Sequence, residues 1–217
     1  MHFGPESIAI LSVCVLSLVA HEYAHGVVAW MHGDPTARDQ GRLTLHPLPH
    51  LDLLGSLLVP FALIVTAFPV LFAWARPAPI DHAKLRHPRR DTLRVAVAGP
   101  VANLLLAIGF AATARLLPQG EPWAFARAVL VAGVAWNCAL GLFNLIPIPP
   151  LDGAWLLAHS LKLRHILALH HFRRVALALT VAFAALPPSR GLFEVSLHGA
   201  VGTCFRLFGL SPDGVRH

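Results

Sequence analysis

Apolar residues run unbroken from Ile8 to Ala20 and then, with no turn signal, continue through His21-Glu22-Tyr23-Ala24-His25 to Trp30. A membrane-spanning helix needs about 20 mainly apolar residues, and residues 6–31 supply the first one. Residues 32–52 are polar and turn-rich, and the alternation at 42–45 predicts a short strand. Residues 53–75 are apolar but interrupted by Pro60 and Pro69, which predicts a broken segment that dips into the membrane and returns. A basic loop at 76–94 precedes two further clear spans, 95–117 and 124–147. The chain then breaks at Pro147-Ile-Pro-Pro150-Leu-Asp-Gly153. A short apolar piece at 154–161, a His/Arg-rich patch, an apolar stretch at 175–187 and a tail at 191–210 suited to an interfacial helix complete it. The fold class that follows is an all-α polytopic membrane protein. It would have about four to five transmembrane helices, a re-entrant segment and a short strand-like region. Without repeats or a linker, residues 1–217 read as a single integral membrane domain, with core motifs in 15–155 and C-terminal helices in 156–217.

Composition agrees. The chain is 56% hydrophobic and 13% charged, where a soluble domain carries about 25% charged residues. The net charge of +6 could point to nucleic acid, but the basic residues sit in loops beside apolar runs, as the positive-inside bias produces. No basic face with interleaved aromatics is visible, so nucleic acid is not an expected partner. If 53–75 crosses fully, Lys and Arg divide ten against seven between the two sides; if it returns, they divide twelve against five. The second split fits the positive-inside rule better and predicts that the N-terminus is outside and the basic loops are cytoplasmic. The N-terminus lacks a positive n-region, so no removable signal peptide is expected. Cys14, Cys138 and Cys204 lie in apolar sequence and read as small packed hydrophobes. Trp30, Trp74, Trp123 and Trp155 lie near span ends, as in an aromatic belt.

Ionisable groups inside a span are costly and mark functional sites by default. HExxH on a helix places His21 and His25 at i and i+4 on one face. That spacing suits two ligands of a tetrahedral zinc, with Glu22 placed to move protons on the attacking water. A catalytic zinc keeps three protein ligands, and the best third candidate is Asp152. Prolines stiffen the segment before it and Gly153 permits a tight turn; the alternative is an ordinary turn with an N-capping aspartate. Asn103, in Ala98-Gly-Pro-Val-Ala-Asn103, and Asn137 and Asn144 are neutral amides in apolar spans. They read either as interhelical hydrogen bonds or as groups that hold substrate backbone or an oxyanion. His21 lies nine residues before Trp30, roughly 14 Å along a helix. In the re-entrant topology HEYAH, the start of 95–117 and the end of 124–147 all lie toward one side, so the motifs can converge.

Taken in order, HEYAHG, Gly33-Asp-Pro-Thr-Ala-Arg38, Gly41-Arg-Leu-Thr-Leu-His-Pro-Leu-Pro-His-Leu-Asp52, Arg89-Arg-Asp91, AGPVAN and NLIPIPPLDG resemble the site-2 protease family of intramembrane zinc metalloproteases. The nearest likeness is to its short prokaryotic branch without a PDZ domain, over about residues 15–155. The resemblance implies one zinc ion per chain held by His21, His25 and Asp152, with Glu22 as the catalytic acid/base. It also implies transmembrane protein substrates, in a multi-pass protein of a prokaryotic cell membrane. Two departures stand out. His46 occupies a position where the family usually has asparagine, and no separate span precedes the HExxH helix, so substrate access routes of longer relatives are not expected to carry over. His50, in the same stretch, is a candidate for the mouth of the site or an interfacial loop histidine. His159, His165, His170 and His171 read as a basic juxtamembrane patch facing anionic lipid.

The expected reaction is peptide-bond hydrolysis within or next to the membrane, on a substrate helix that must first unwind. Asn103, Asn144 and the 42–46 region are candidates for holding the extended form. A membrane-anchored protease that cuts soluble loops would carry larger soluble parts. A zinc-binding scaffold or transporter is the non-enzymatic alternative, but a transporter would need ionisable residues along a path through several spans. Residues 95–117 and 124–147 carry few beyond Arg115 and Arg127.

Overall fold

The computed structural model describes residues 5–52, 55, 58, 75–148, 151–156 and 187–210. Helix α1 spans Pro5–Met31 and a short α2 spans Thr36–Asp39. Helix α3 spans Pro88–Leu116, α4 Ala124–Asn144, α5 Gly153–Leu156 and α6 Pro187–Leu207. Three helical stretches, Ile8–Met31, Pro88–Leu116 and Glu121–Asn144, are long and apolar enough to cross a membrane. At 1.5 Å per residue the 27 residues of α1 extend about 40 Å, more than the roughly 30 Å hydrocarbon layer.

The three long helices pack on one another through small residues and turn large apolar ones outward. Ala107, Ala111 and Ala114 of α3 are fully buried against Val134 and Cys138 of α4, and Cys204 and Phe205 of α6, with Leu210 just beyond it, close the same cluster. Small side chains matter here because lipid tails give helices no hydrophobic reason to associate, so close backbone approach must supply the contact. Ile8, Leu11 and Leu16 of α1 and Leu104 and Leu105 of α3 are exposed, as a lipid-facing surface requires. The Cys138 and Cys204 sulfurs lie 4.0 Å apart as free thiols inside the apolar cluster. Trp30 and Trp123 are both half-exposed, at the end of α1 and the start of α4.

Several expectations shift in detail. Helix α3 begins at Pro88, so Arg89, Arg90 and Arg94 belong to its first turns rather than to a loop. Proline at the first helical turn is pre-organised for the helix and has no N–H to leave unpaired. Residues 42–45 form no ladder, and the described residues contain no sheet. Their side chains are instead used individually, as described below. The tail forms α6, which starts at Pro187 and packs against α4. The course of 53–74 and the stretch 157–186, including His159, His165, His170 and His171, lie outside the described residues, apart from 55 and 58.

The flanks of 53–75 nevertheless meet. The Arg76 N–H donates to the His50 carbonyl (2.8 Å) and the Arg86 N–H to the His32 carbonyl (2.9 Å). Loops 32–52 and 75–87 therefore lie on one side of the three-helix core. Cysteines introduced at the exposed Gln40 and Ala83, with the native cysteines replaced, are expected to react with an impermeant maleimide from the same face of sealed vesicles. Labelling from opposite faces would exclude this arrangement.

Candidate metal centre

Helical spacing sets one face of α1 as Ser17, His21 and His25, all three buried. The His21 and His25 Nε2 atoms stand 3.1 Å apart, and Asp152 Oδ2 lies 3.1 Å from the first and 3.2 Å from the second. Among the described residues this is the group of three whose donor atoms could hold a metal ion.

The far sides of the two rings fix what the near sides offer. His25 Nδ1 lies 2.7 Å from the Val95 carbonyl, which can only accept, so the ring proton sits on Nδ1 and the Nε2 lone pair faces the site. The orientation of His21 is set by a longer chain. Asn137 Nδ2 donates to the Gly133 carbonyl and to Ser17 Oγ, both at 2.9 Å. Asn137 Oδ1 therefore accepts from Asn103 Nδ2 at 2.9 Å. Asn103 Oδ1 is left to accept from His21 Nδ1 at 2.6 Å. Ser17 completes the chain by donating to the Val13 carbonyl at 2.8 Å. One backbone carbonyl thus sets the tautomer of a histidine two side chains away, across three spans.

Two imidazole lone pairs and a carboxylate oxygen then converge with no proton between them. Three acceptors this close repel unless a cation lies among them. Ligand atoms on a tetrahedral zinc with bonds near 2.0–2.1 Å stand about 3.3–3.4 Å apart, close to the spacing here. The backbone has been cleared for the same purpose: a Cβ on Gly99 would stand 2.6 Å from His21 Nε2 and closer still to His25 Nε2. Two imidazole nitrogens and a carboxylate oxygen, with outer partners behind both rings, are a donor set that suits zinc.

Gly153 explains how Asp152 arrives. A Cβ there would collide with the backbone of Leu145 and Ile146, so only glycine lets the chain fold back on the end of α4. The Trp155 N–H then donates to the Asp152 carbonyl at 2.9 Å, leaving the carboxylate to face the histidines.

Glu22 is half-buried and its Oε2 accepts the Ala78 N–H at 2.7 Å. Ala78 belongs to the 75–87 segment, which also ties to Asp34 through the Asp81 N–H (2.7 Å) and lays His82 against Trp155 with ring centroids 4.2 Å apart. Asn103 meets His21, whereas Asn144 turns its Nδ2 onto the Leu140 carbonyl of its own helix at 2.9 Å. His50 is fully buried, donating from Nε2 to the Thr44 carbonyl at 2.8 Å, and His46 is exposed. Sequence reasoning missed Ser17, Ala78 and His82, and it quoted Asp34 only as part of Gly33-Asp-Pro-Thr-Ala-Arg38, with no role given. Of the three missed, Ser17 alone left a signal, standing one helical turn before His21 on the same face.

Known proteins align with this arrangement. The family model described as Peptidase family M50 matches residues 122–187. YwhC of Bacillus subtilis is 41% identical over 145 residues, 64% of this chain and 63% of its own length. Rip2 of Mycobacterium tuberculosis is 33% identical over 214 residues, 97% of this chain and 76% of its own length. Both carry the name "putative zinc metalloprotease". The match thus covers less than two thirds of YwhC. No solved structure matches the chain. With nearly its whole length aligned to Rip2 and the M50 match covering the segment that delivers Asp152, the chain belongs to peptidase family M50, the site-2 protease family.

Proposed function

We propose that the protein is a zinc metalloendopeptidase of the cell membrane that hydrolyses peptide bonds within or next to transmembrane segments of other proteins. The observation that carries this reading is the convergence of the His21, His25 and Asp152 lone pairs among membrane-capable helices, with Glu22 on the same helix turn. His21, His25 and Asp152 would hold one zinc. When bound, zinc polarises the scissile carbonyl and lowers the pKa of the attacking water toward neutrality. Glu22 takes the proton of that water and returns it to the leaving amine, while Ala78 N–H holds one of its oxygens in place. Asn103 acts through His21, keeping the Nε2 lone pair aimed at the metal. A helical substrate hides its carbonyl in the i→i−4 ladder, so it must unwind before Glu22 can serve it.

Among the described residues three ligands converge, which supports this reading over a zinc-binding scaffold, because structural zinc sites are closed by four. The test is reconstitution in vesicles with a reporter whose single transmembrane helix lies between two tagged domains. The expected result is cleavage within or beside that helix, lost on treatment with a chelator and restored by zinc. Cuts confined to distant soluble regions would remove the intramembrane assignment. Zinc binding without any cleavage would favour the scaffold.

A further inference from the structure

The segment over Glu22 is Arg76-Pro77-Ala78-Pro79. Proline has no N–H, so Ala78 supplies the sole backbone donor of residues 77–79, and the flanking prolines restrict it to extended conformations. That donor is spent on Glu22 Oε2 at 2.7 Å. On the other side of the same peptide stands Arg42, buried to 8% exposure. Its Nη2 donates to the Arg76 carbonyl at 2.7 Å and to the Pro77 carbonyl at 3.3 Å. The Pro77 carbonyl and the Ala78 N–H belong to one peptide unit. A guanidinium on its oxygen and a carboxylate on its N–H therefore polarise it in the same sense, and hydrogen bonds in such a chain strengthen one another.

We propose that Arg42 is a positioning residue for proton transfer: through the Pro77–Ala78 peptide it holds the Glu22 carboxylate in its working orientation. This rests on the reading of Glu22 as the acid/base. Glutamate has three rotatable side-chain bonds, and pinning Oε2 restricts them while leaving Oε1 free of that contact to serve the reacting water. Both bonds leave from one terminal nitrogen, Nη2, so a single cationic donor group set between two successive carbonyls makes the contact. Burial and the Arg76 guanidinium lower the Arg42 pKa while the Glu22 carboxylate raises it, which sets the two charges within electrostatic reach. Arg42 is not the segment's only tie. The Arg76 N–H to the His50 carbonyl and the Asp81 N–H to Asp34 Oδ2 remain when it is removed, so the segment stays docked but loosens at its centre.

The test uses the full zinc-loaded chain in vesicles with the transmembrane reporter. Arg42→Ala is expected to lower kcat by about 10- to 100-fold, the scale of a small misplacement of a catalytic group. KM should stay within about twofold of wild type and zinc content should be unchanged. Amide exchange at residues 76–80 should accelerate, and Arg42→Lys, which still offers a cationic donor to the carbonyls, should recover most of kcat. Unchanged kcat, or a raised KM with kcat intact, would overturn the proposal. Should Arg42→Ala lose zinc or fail to fold, Ala78→Pro deletes the donor alone, and full activity in that variant overturns the proposal equally. Arg42→Ala combined with Ala78→Pro should be no slower than Ala78→Pro; multiplied losses would show that Arg42 acts by another route. A wild-type chain that never cuts the reporter counts against the protease reading instead, and the exchange measurement still reports whether Arg42 holds the segment.

Discussion

Glu22→Gln is expected to abolish cleavage and leave zinc bound. Glutamine keeps the shape of glutamate and retains an oxygen that can accept the Ala78 N–H now bonded to Oε2, so the side chain has no reason to move. What it loses is the ability to take up a proton at neutral pH. General acid–base groups contribute typically 10²–10⁴-fold, so reporter cleavage should fall by at least about 100-fold. His21, His25 and Asp152 are untouched, along with the Asn103 and Val95 contacts behind the two rings. Metal analysis of the purified variant should therefore match wild type. Cleavage at a tenth of the wild-type rate or more would remove Glu22 from the mechanism.

Gly99→Ala is expected to empty the metal centre. Alanine is the better helix former, so α3 itself gains, and any loss must come from the space the methyl takes. That methyl would lie 2.5 Å from His21 Cε1 and 2.6 Å from His21 Nε2, where real Cβ contacts stay beyond 3.0 Å. Neither ring can yield easily: Asn103 holds one at 2.6 Å and the Val95 carbonyl the other at 2.7 Å. The rings must turn away or α1 and α3 must part, and either movement separates the donors. Disturbing outer partners alone costs about 10- to 100-fold in metal affinity. Intrusion among the ligands should therefore cost more than about 100-fold, read by competition with a chromogenic chelator, and cleavage should go with it. Wild-type affinity in this variant would show that zinc binds elsewhere.

The two variants fail in different places, one with metal and no proton transfer, the other with no metal. Their contrast was legible in part from the chain alone. HEYAH on an apolar run fixed two donors on one helical face, because the α-helix repeat is set by the backbone. The three long spans were legible for a similarly local reason, since their length against the bilayer follows from composition. AGPVAN was visible as a motif, but Gly99 as the floor of the site was not. Close approach between helices depends on how α1 and α3 cross, which no local pattern encodes. Of the two readings open to Asn137 the structure shows the interhelical hydrogen bond, yet its link through Asn103 to His21 needed three helices in register.

By itself, the sequence determined the three long helical spans, the His21–His25 face with Glu22 beside it, and Asp152 as the leading candidate for a third ligand. The resemblance to site-2 proteases rested on those same motifs. The tertiary structure decided what lies 82 and 127 positions from the histidines: Asn103 behind His21 and Asp152 before His25. It also turned 42–45 from an expected strand into a loop whose Arg42 holds the peptide over Glu22. Local stereochemistry sets periodicity and turns, and these are written residue by residue. Which lone pairs meet, and which peptide N–H reaches the glutamate, depends on helix packing, where each contact is settled by all the others at once.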